Sequence, residues 1–340
     1  MGKRAKKIKL MEVCGTHTMA IARSGIKKLL PEEIELISGP GCPVCVTAQE
    51  DIDRAIEIAG IKNVIITSFG DMIRVPGSSI SLEDTRLSGA DVRMVYSCMD
   101  ALSLAQNDPS KKVVFIGVGF ETTAPTIAAT VLEAKILKIK NFFVLSDFKV
   151  VFPALEVIAS SDKVKVDGFI CPGHVSVITG SAPYEDIAVR YKMPCVITGF
   201  EDNDILKGIR ALVEQVKKGK SEVGIEYRRA VTRNGNTKAK KVLNKVFELE
   251  NAQWRGIGEI KNSGLKFRKE YTEFDAKKHF KIKIHKTVPP KGCICGEVLQ
   301  GIKKPSECGL FGKKCTPRSP VGPCMVSSEG TCAAWFKYGG

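Results

Sequence analysis

From about residue 9 to residue 220, short runs of apolar and β-branched residues alternate with stretches of helical periodicity. The runs KLMEVCG, IELISGPG, NVIITSFG, DVRMVYS, KVVFIGVGF, FFVLS, VDGFICPG and PCVITGF predict eight strands. Most are apolar at consecutive positions, the pattern of strands covered on both faces of a parallel sheet. Between them, AQEDIDRAIEIAG and DNDILKGIRALVEQVKKG repeat apolar residues at three- and four-residue spacing and predict covering helices. The expected class is α/β, with four strands in each of two units, residues 1–110 and 111–220, facing each other across a cleft. The halves also echo each other. GPGCPVC and ITSFGDM answer to ICPGHVS and ITGFEDND, and Cys42–Phe69 and Cys171–Phe200 are separated by 27 and 29 residues. This reads as a diverged duplication.

Residues 221–290 give few clear signals and are read as a mixed connecting region packed on the α/β units. In it, RNGNTKAKKVLNK reads as a loop entering an amphipathic helix. After HKTVPPKG the composition changes. Residues 291–340 hold six cysteines among glycine and proline, a module too poor in apolar side chains to stand without a staple.

The 340 residues, 44% of them hydrophobic, suffice for a full core. No apolar run reaches the ~18 residues that would span a bilayer. The basic start MGKRAKKIKL is followed only by LMEV, which is no signal-peptide core. A cytoplasmic protein without a membrane role is therefore expected. The net charge of +15 is carried largely by lysine, and the aromatics, at 7%, are not interleaved with the basic runs. That favours a Lys-rich surface over a nucleic-acid face. Twelve cysteines without an export signal point to metal binding or redox chemistry.

The tail cysteines are Cys293, Cys295, Cys308, Cys315, Cys324 and Cys332. They lack the paired C-x2-C knuckles usual in zinc ribbons. An iron–sulfur cluster needs four thiolates and tolerates varied spacing. The cluster is the favoured reading, zinc and plain disulfides are the alternatives, and two thiols are left over.

Five motifs fall at the carboxyl ends of predicted strands, where open parallel sheets bind ligands. VCGTHTMAIARSG offers Cys14 and His17, a thiolate–imidazole pair suited to iron or zinc. GPGCPVC is stiffened by Pro40 and Pro43 and sets Cys42 and Cys45 at a helix N-terminus, where thiol pKa values fall. Such a pair suits a disulfide bridge or a soft metal. SFGDMIRVPGS carries Asp71 and Arg74, paired together or holding an anion or a partner's terminus. GVGFETTAP carries Glu121, Thr122 and Thr123; Thr122 replaces the third glycine of a dinucleotide fingerprint, so a nucleotide is disfavoured although Asp147 ends the next strand. CPGHVSVITG carries Cys171 and His174. Facing units would bring all five into one cleft.

In order along essentially the whole chain, CGTHTMAIARSGI, GPGCPVC, FGDMIRVPGS, GFETTAP, CPGHVSVITG and CTPRSPVGPCMVSSEGTCAAWFKY resemble the motifs of the HypD family of hydrogenase maturation proteins. The resemblance implies two Rossmann-like domains plus a C-terminal [4Fe–4S] domain. It implies a redox-active scaffold, rather than a turnover enzyme, that assembles the Fe(CN)2CO moiety of [NiFe]-hydrogenase. A HypC-type chaperone would be one partner and HypE, with HypF, the cyanide donor. Cys14, Cys42 and Cys45 carry over as the essential thiols. His17 falls in the same motif, and Asp71, Arg74, Glu121, Thr122 and His174 are expected around the iron and partner site. Met19 stands where many members have a second histidine, which weakens a two-histidine iron site; Ala48 stands where proline often follows the thiol pair.

By analogy of GPCMV with PGCPV, and with cluster-linked disulfide systems, Cys293, Cys308, Cys315 and Cys332 are expected as cluster ligands. Cys295 and Cys324 become a redox pair serving Cys42–Cys45. The alternative function is a cluster-dependent thiol–disulfide reductase; a zinc-stapled nucleic-acid binder is the third.

Overall fold

The computed structural model describes residues 7–283, 287 and 290–339. Residues 1–6 of the basic start, and His285, Lys286, Val288 and Pro289 of HKTVPPKG, lie outside them. The eight expected strands form as β1 (Ile8–Glu12), β2 (Ile34–Ser38), β3 (Val64–Ser68), β4 (Asp91–Met94), β5 (Lys112–Gly117), β6 (Phe142–Ser146), β7 (Gly168–Pro172) and β8 (Cys195–Thr198). A short β9 (Val223–Ile225) follows. β3, β6, β7 and β8 are buried along their whole length, as continuous apolar runs require.

The strands do not pair as consecutive halves. One parallel sheet has the order β2-β1-β7-β8-β9 and the other β4-β3-β5-β6. The chain leaves the first sheet after β2, builds the whole second sheet, and returns at β7, where Leu10 pairs with Gly168 and Glu12 with Ile170. The expected boundary near residue 110 therefore falls inside the second sheet. The proposed duplication loses its structural basis for the same reason: β2 and β3 lie in different sheets, whereas β7 and β8 are neighbours. Both units remain Rossmann-like. Each has a switch in strand order, at β1/β7 and at β3/β5, and crevices at such points are where these sheets bind ligands.

The connecting region is more ordered than its sequence implied. The RNGNTKAKKVLNK stretch does enter a helix, Thr237–Val246, capped by the Asn236 side chain. A hairpin follows, β10 (Phe247–Trp254) and β11 (Gly258–Phe267), antiparallel with an irregularity between Glu250 and Ala252. It joins both units: Thr47 bridges to Trp254, and Val150 N–H donates to Ser263 O at 2.8 Å. Trp254 is buried, with Nε1 donating to Ser263 Oγ at 2.8 Å.

The tail is built of short helices, Cys295–Leu299, Pro323–Val326 and Thr331–Tyr338, joined by turns. Among the described residues, no helix is long and apolar enough to cross a membrane.

Candidate thiol site

β1 runs into the helix Gly15–Ser24, with Cys14 at its N-cap. Gly15 N–H donates to Gly41 O at 2.9 Å, and a Cβ on Gly41 would lie 2.2 Å from Cys14 N. Only glycine lets the GPGCPVC turn lie backbone against backbone on the Cys14 loop. Cys42 caps the short helix Pro43–Val46, its sulfur accepting from Cys45 N–H at 3.2 Å. Pro43 at the first helical position costs no hydrogen bond and pre-sets the turn. Cys42 and Cys45 are joined as a disulfide, their Cα atoms 5.2 Å apart.

The tail covers this pair. Ser327 Oγ lies 3.3 Å from Cys42 Sγ, and Cys45 Sγ lies 4.0 Å from the carbonyl of Pro323, next to Cys324.

Burial, and then the charge of Glu329, push the Cys14 thiol up to about 11, against the main-chain N–H groups of His17 and Thr16. Cys14 is thus a protonated thiol that a soft metal ion would deprotonate on binding. The contribution of His17 to it is main-chain. Its imidazole is fully buried elsewhere, with Nε2 2.8 Å from Gly199 O and 2.9 Å from Thr198 Oγ1. Burial lowers the pKa of that ring to about 4, so it is neutral. Phe200 stacks on His17 on one side and on the exposed His174 on the other, with centroids 4.7 and 3.9 Å away.

Asp71 and Arg74 do not pair with each other; they hold the tail. Asp71 Oδ2 accepts from Ser328 N–H at 2.8 Å and from Ser328 Oγ at 2.9 Å, and Arg74 Nη2 donates to Pro317 O at 2.8 Å.

All six tail cysteines line one apolar cavity, together with Ile294, Val298, Leu310, Phe311 and Met325. Cys295 Sγ and Cys324 Sγ lie 3.0 Å apart. Hydrogen bonds from Cys293 and then Cys324 hold the Cys295 thiol well below its usual range, aided by Arg255. Among the described residues, no three His, Cys, Asp or Glu side chains are gathered around a single-ion position.

A family model described as "HypD: Hydrogenase formation hypA family" matches residues 1–339. The chain belongs to the HypD family. It is 45% identical over 337 residues to the hydrogenase maturation factor HypD of Cupriavidus necator, covering 97% of this chain and 89% of that one. It is 45% identical over 332 residues to the HypD of Escherichia coli, again 97% and 89% of the two chains. The hydrogenase expression/formation protein HupD of Azotobacter chroococcum is 46% identical over 342 residues, 98% of this chain and 90% of its own.

The structure brings Cys14, Cys42, Cys45 and the loop Ser327–Glu329 together, with Pro323, next to Cys324, against Cys45. Glu121, Thr122 and Cys171 stand apart from it. Glu121 is buried after β5, its Oε1 accepting from Val151 N–H at 3.0 Å and its Oε2 without a partner. Thr122 is half-buried beside it. Cys171 is fully buried, and desolvation and then a hydrogen bond with Cys195 on the neighbouring strand push its thiol up. Asp147 is buried in an ion pair with Lys277 at 2.9 Å, beside the pair Lys149–Asp51 at 3.6 Å.

Glu329 was not singled out from the sequence. Thr16 Oγ1 donates to its Oε1 at 2.5 Å, and its charge acts on both Cys14 and His174. Its only local signal is a place in SSEG, three residues past a helix end.

Burial raises the Glu121 pKa to about 7 from its ordinary 4.5. The native state therefore holds this proton more tightly than the unfolded chain does. The group's contribution to stability is largest below pH 4.5 and is lost as the pH rises to about 7. Glu121→Gln keeps the acceptor for Val151 N–H and removes the charge. The variant is expected to be the more stable protein at pH 8, by roughly 3 kcal/mol, with the advantage gone at pH 4. Urea denaturation at the two pH values measures it, and a pH-independent difference would contradict the assignment.

Proposed function

We propose that this protein is a maturation scaffold for [NiFe]-hydrogenase, holding iron as cargo while the Fe(CN)2CO moiety is built on it. One observation carries the reading. The Cys14 loop lies against the Cys42–Cys45 turn, and that turn touches the segment bearing Cys324.

Cys14 binds the cargo iron, giving up its proton, with the Glu329 carboxylate close enough in effect to favour a cation there. Reduction of the Cys42–Cys45 disulfide takes two electrons and two protons and yields two thiols. On this reading Cys295 and Cys324 give up those electrons and protons by thiol exchange and become a disulfide, a role supported by the contact of Pro323, next to Cys324, with Cys45.

The tail cysteines fit an iron–sulfur cluster. Six sulfurs share one apolar cavity, more than the four thiolates a cluster needs. Cys293, Cys308, Cys315 and Cys332 would hold a [4Fe–4S] cluster, and the bound cluster would supply single electrons. The partners on this reading are a HypC-type chaperone and HypE with HypF, in a reducing cytoplasm. Asp71 and Arg74 then serve the partner site indirectly, by fixing the tail that forms its wall.

The test is infrared spectroscopy of the protein co-purified with its small chaperone. Bands of metal-bound cyanide and carbonyl are expected, and their absence from an iron-loaded complex would refute scaffolding. The 3.0 Å approach of Cys295 and Cys324 also suits a thiol–disulfide reductase. Reduction of a protein disulfide without hydrogenase partners would favour that second reading.

A further inference from the structure

Arg255 sits at the tip of the β10–β11 hairpin with a buried charge, only 8% of the residue being exposed. Its main-chain N–H donates to Val46 O at 2.8 Å, its Nε to Thr47 O at 2.8 Å, and its Nη1 to Gln49 Oε1 at 2.6 Å. The residue is therefore gripped by the segment that directly follows Cys45. Nη2 is buried without any partner.

A guanidinium stays charged in proteins, and burying it without a counter-charge is strongly unfavourable. Burial works against the Arg255 charge, and the tail sulfurs, Cys295 foremost, then Asp51, work to keep it. Asp51 is already engaged by Arg54 at 2.9 Å and Lys149 at 3.6 Å. Two further contacts fix the hairpin tip against the helix that begins at Cys295. Gly256 meets Gly296 so closely that a Cβ on it would lie 2.0 Å from Gly296 Cα, and Gln300 Nε2 donates to Gly256 O at 2.7 Å. Arg255, Cys293 and Cys295 line one pocket.

We propose that Arg255 is a positioning residue whose buried charge compensates the negative tail sulfur group and ties it to the Cys42–Cys45 turn. This rests on the reading that four tail cysteines hold a cluster, since an iron–sulfur group ligated by thiolates is anionic. Net charge and hydrogen bonding around a cluster set its potential. A fixed positive charge favours the more negative, reduced form. The same guanidinium holds the carbonyl two residues past Cys45, so a charge change at the sulfurs is felt at the cleft disulfide through one side chain.

The experiment is a potentiometric titration of the anaerobically reconstituted full-length protein, followed by electron paramagnetic resonance, with iron counted in every sample. Arg255→Gln is expected to keep its iron and to lower the reduced-to-oxidised ratio tenfold at the wild-type midpoint, a shift of about 59 mV for a one-electron couple. Arg255→Lys, which keeps the charge, is expected to stay within about threefold of wild type. An unchanged midpoint in iron-replete Arg255→Gln overturns the proposal, as does a Gln-like midpoint in Arg255→Lys. If Arg255→Gln cannot hold iron, Arg255→Lys decides: a retained cluster with a near-native midpoint supports charge compensation, and loss of iron from both makes the role merely structural. A wild-type protein that takes up no iron would instead remove the cluster reading on which the proposal stands.

Discussion

Replacing Cys14 by alanine is expected to abolish hydrogenase maturation in cells while leaving a folded protein. The side chain makes no capping hydrogen bond for its helix, and the loop is held by main-chain contacts, Gly15 N–H to Gly41 O among them. Losing one buried sulfur atom therefore costs on the order of 1 kcal/mol, too little to unfold the chain. What is lost is the buried thiol beside the Cys42–Cys45 turn, which is not bonded to another sulfur. Serine at the same position keeps the volume but is a hard oxygen ligand, poorly matched to iron carrying strong-field ligands, and should fail equally. Hydrogenase activity of a complemented deletion strain, read beside a thermal melt of the purified variant, makes the measurement. Normal activity in either variant would end the role given to Cys14.

The second large effect divides the tail. If the tail holds the proposed cluster, Cys308→Ala, and likewise Cys293→Ala, Cys315→Ala or Cys332→Ala, is expected to lose it. Cys295→Ala and Cys324→Ala should each retain about four irons and lose only the thiol exchange. The 3.0 Å contact of Cys295 and Cys324 motivates this split, because two sulfurs that close are set for a bond with each other. Iron and sulfide analysis after anaerobic reconstitution separates the two classes. Loss of iron from Cys295→Ala or Cys324→Ala would reassign that cysteine as a ligand.

The eight strands of the α/β units could be read from their apolar runs because burial on both faces leaves a local signature. Pairing could not. Leu10 meets Gly168 across the chain, and nothing near either residue encodes the other. β10 was missed because FELENAQW buries only its ends, Phe247 and Trp254, and shows no apolar face. The cysteine motifs were visible as residue types at chemically meaningful spacings. The groups that tune them, Glu329 and Arg255, were not, since each matters only through partners contributed by distant segments. His17 shows the opposite error: a ligand-type residue beside a thiol whose imidazole is spent on Gly199 and Thr198.

The interleaved strand order has a consequence for synthesis. The second sheet is complete once Ser146 has been made, but β1 and β2 wait for β7, which begins at Gly168. At bacterial-to-eukaryotic elongation rates of roughly 5–20 residues per second, the wait is on the order of ten seconds. The lid over Cys42 and Cys45 comes later still, with Ser327 and Pro323. Throughout that interval Cys14, Cys42 and Cys45 ride on a two-stranded parallel unit, β1 and β2, whose β1 edge still lacks its partner β7. The Cys14 and Cys42–Cys45 segments are thus among the first parts of the chain to be made and among the last to be enclosed.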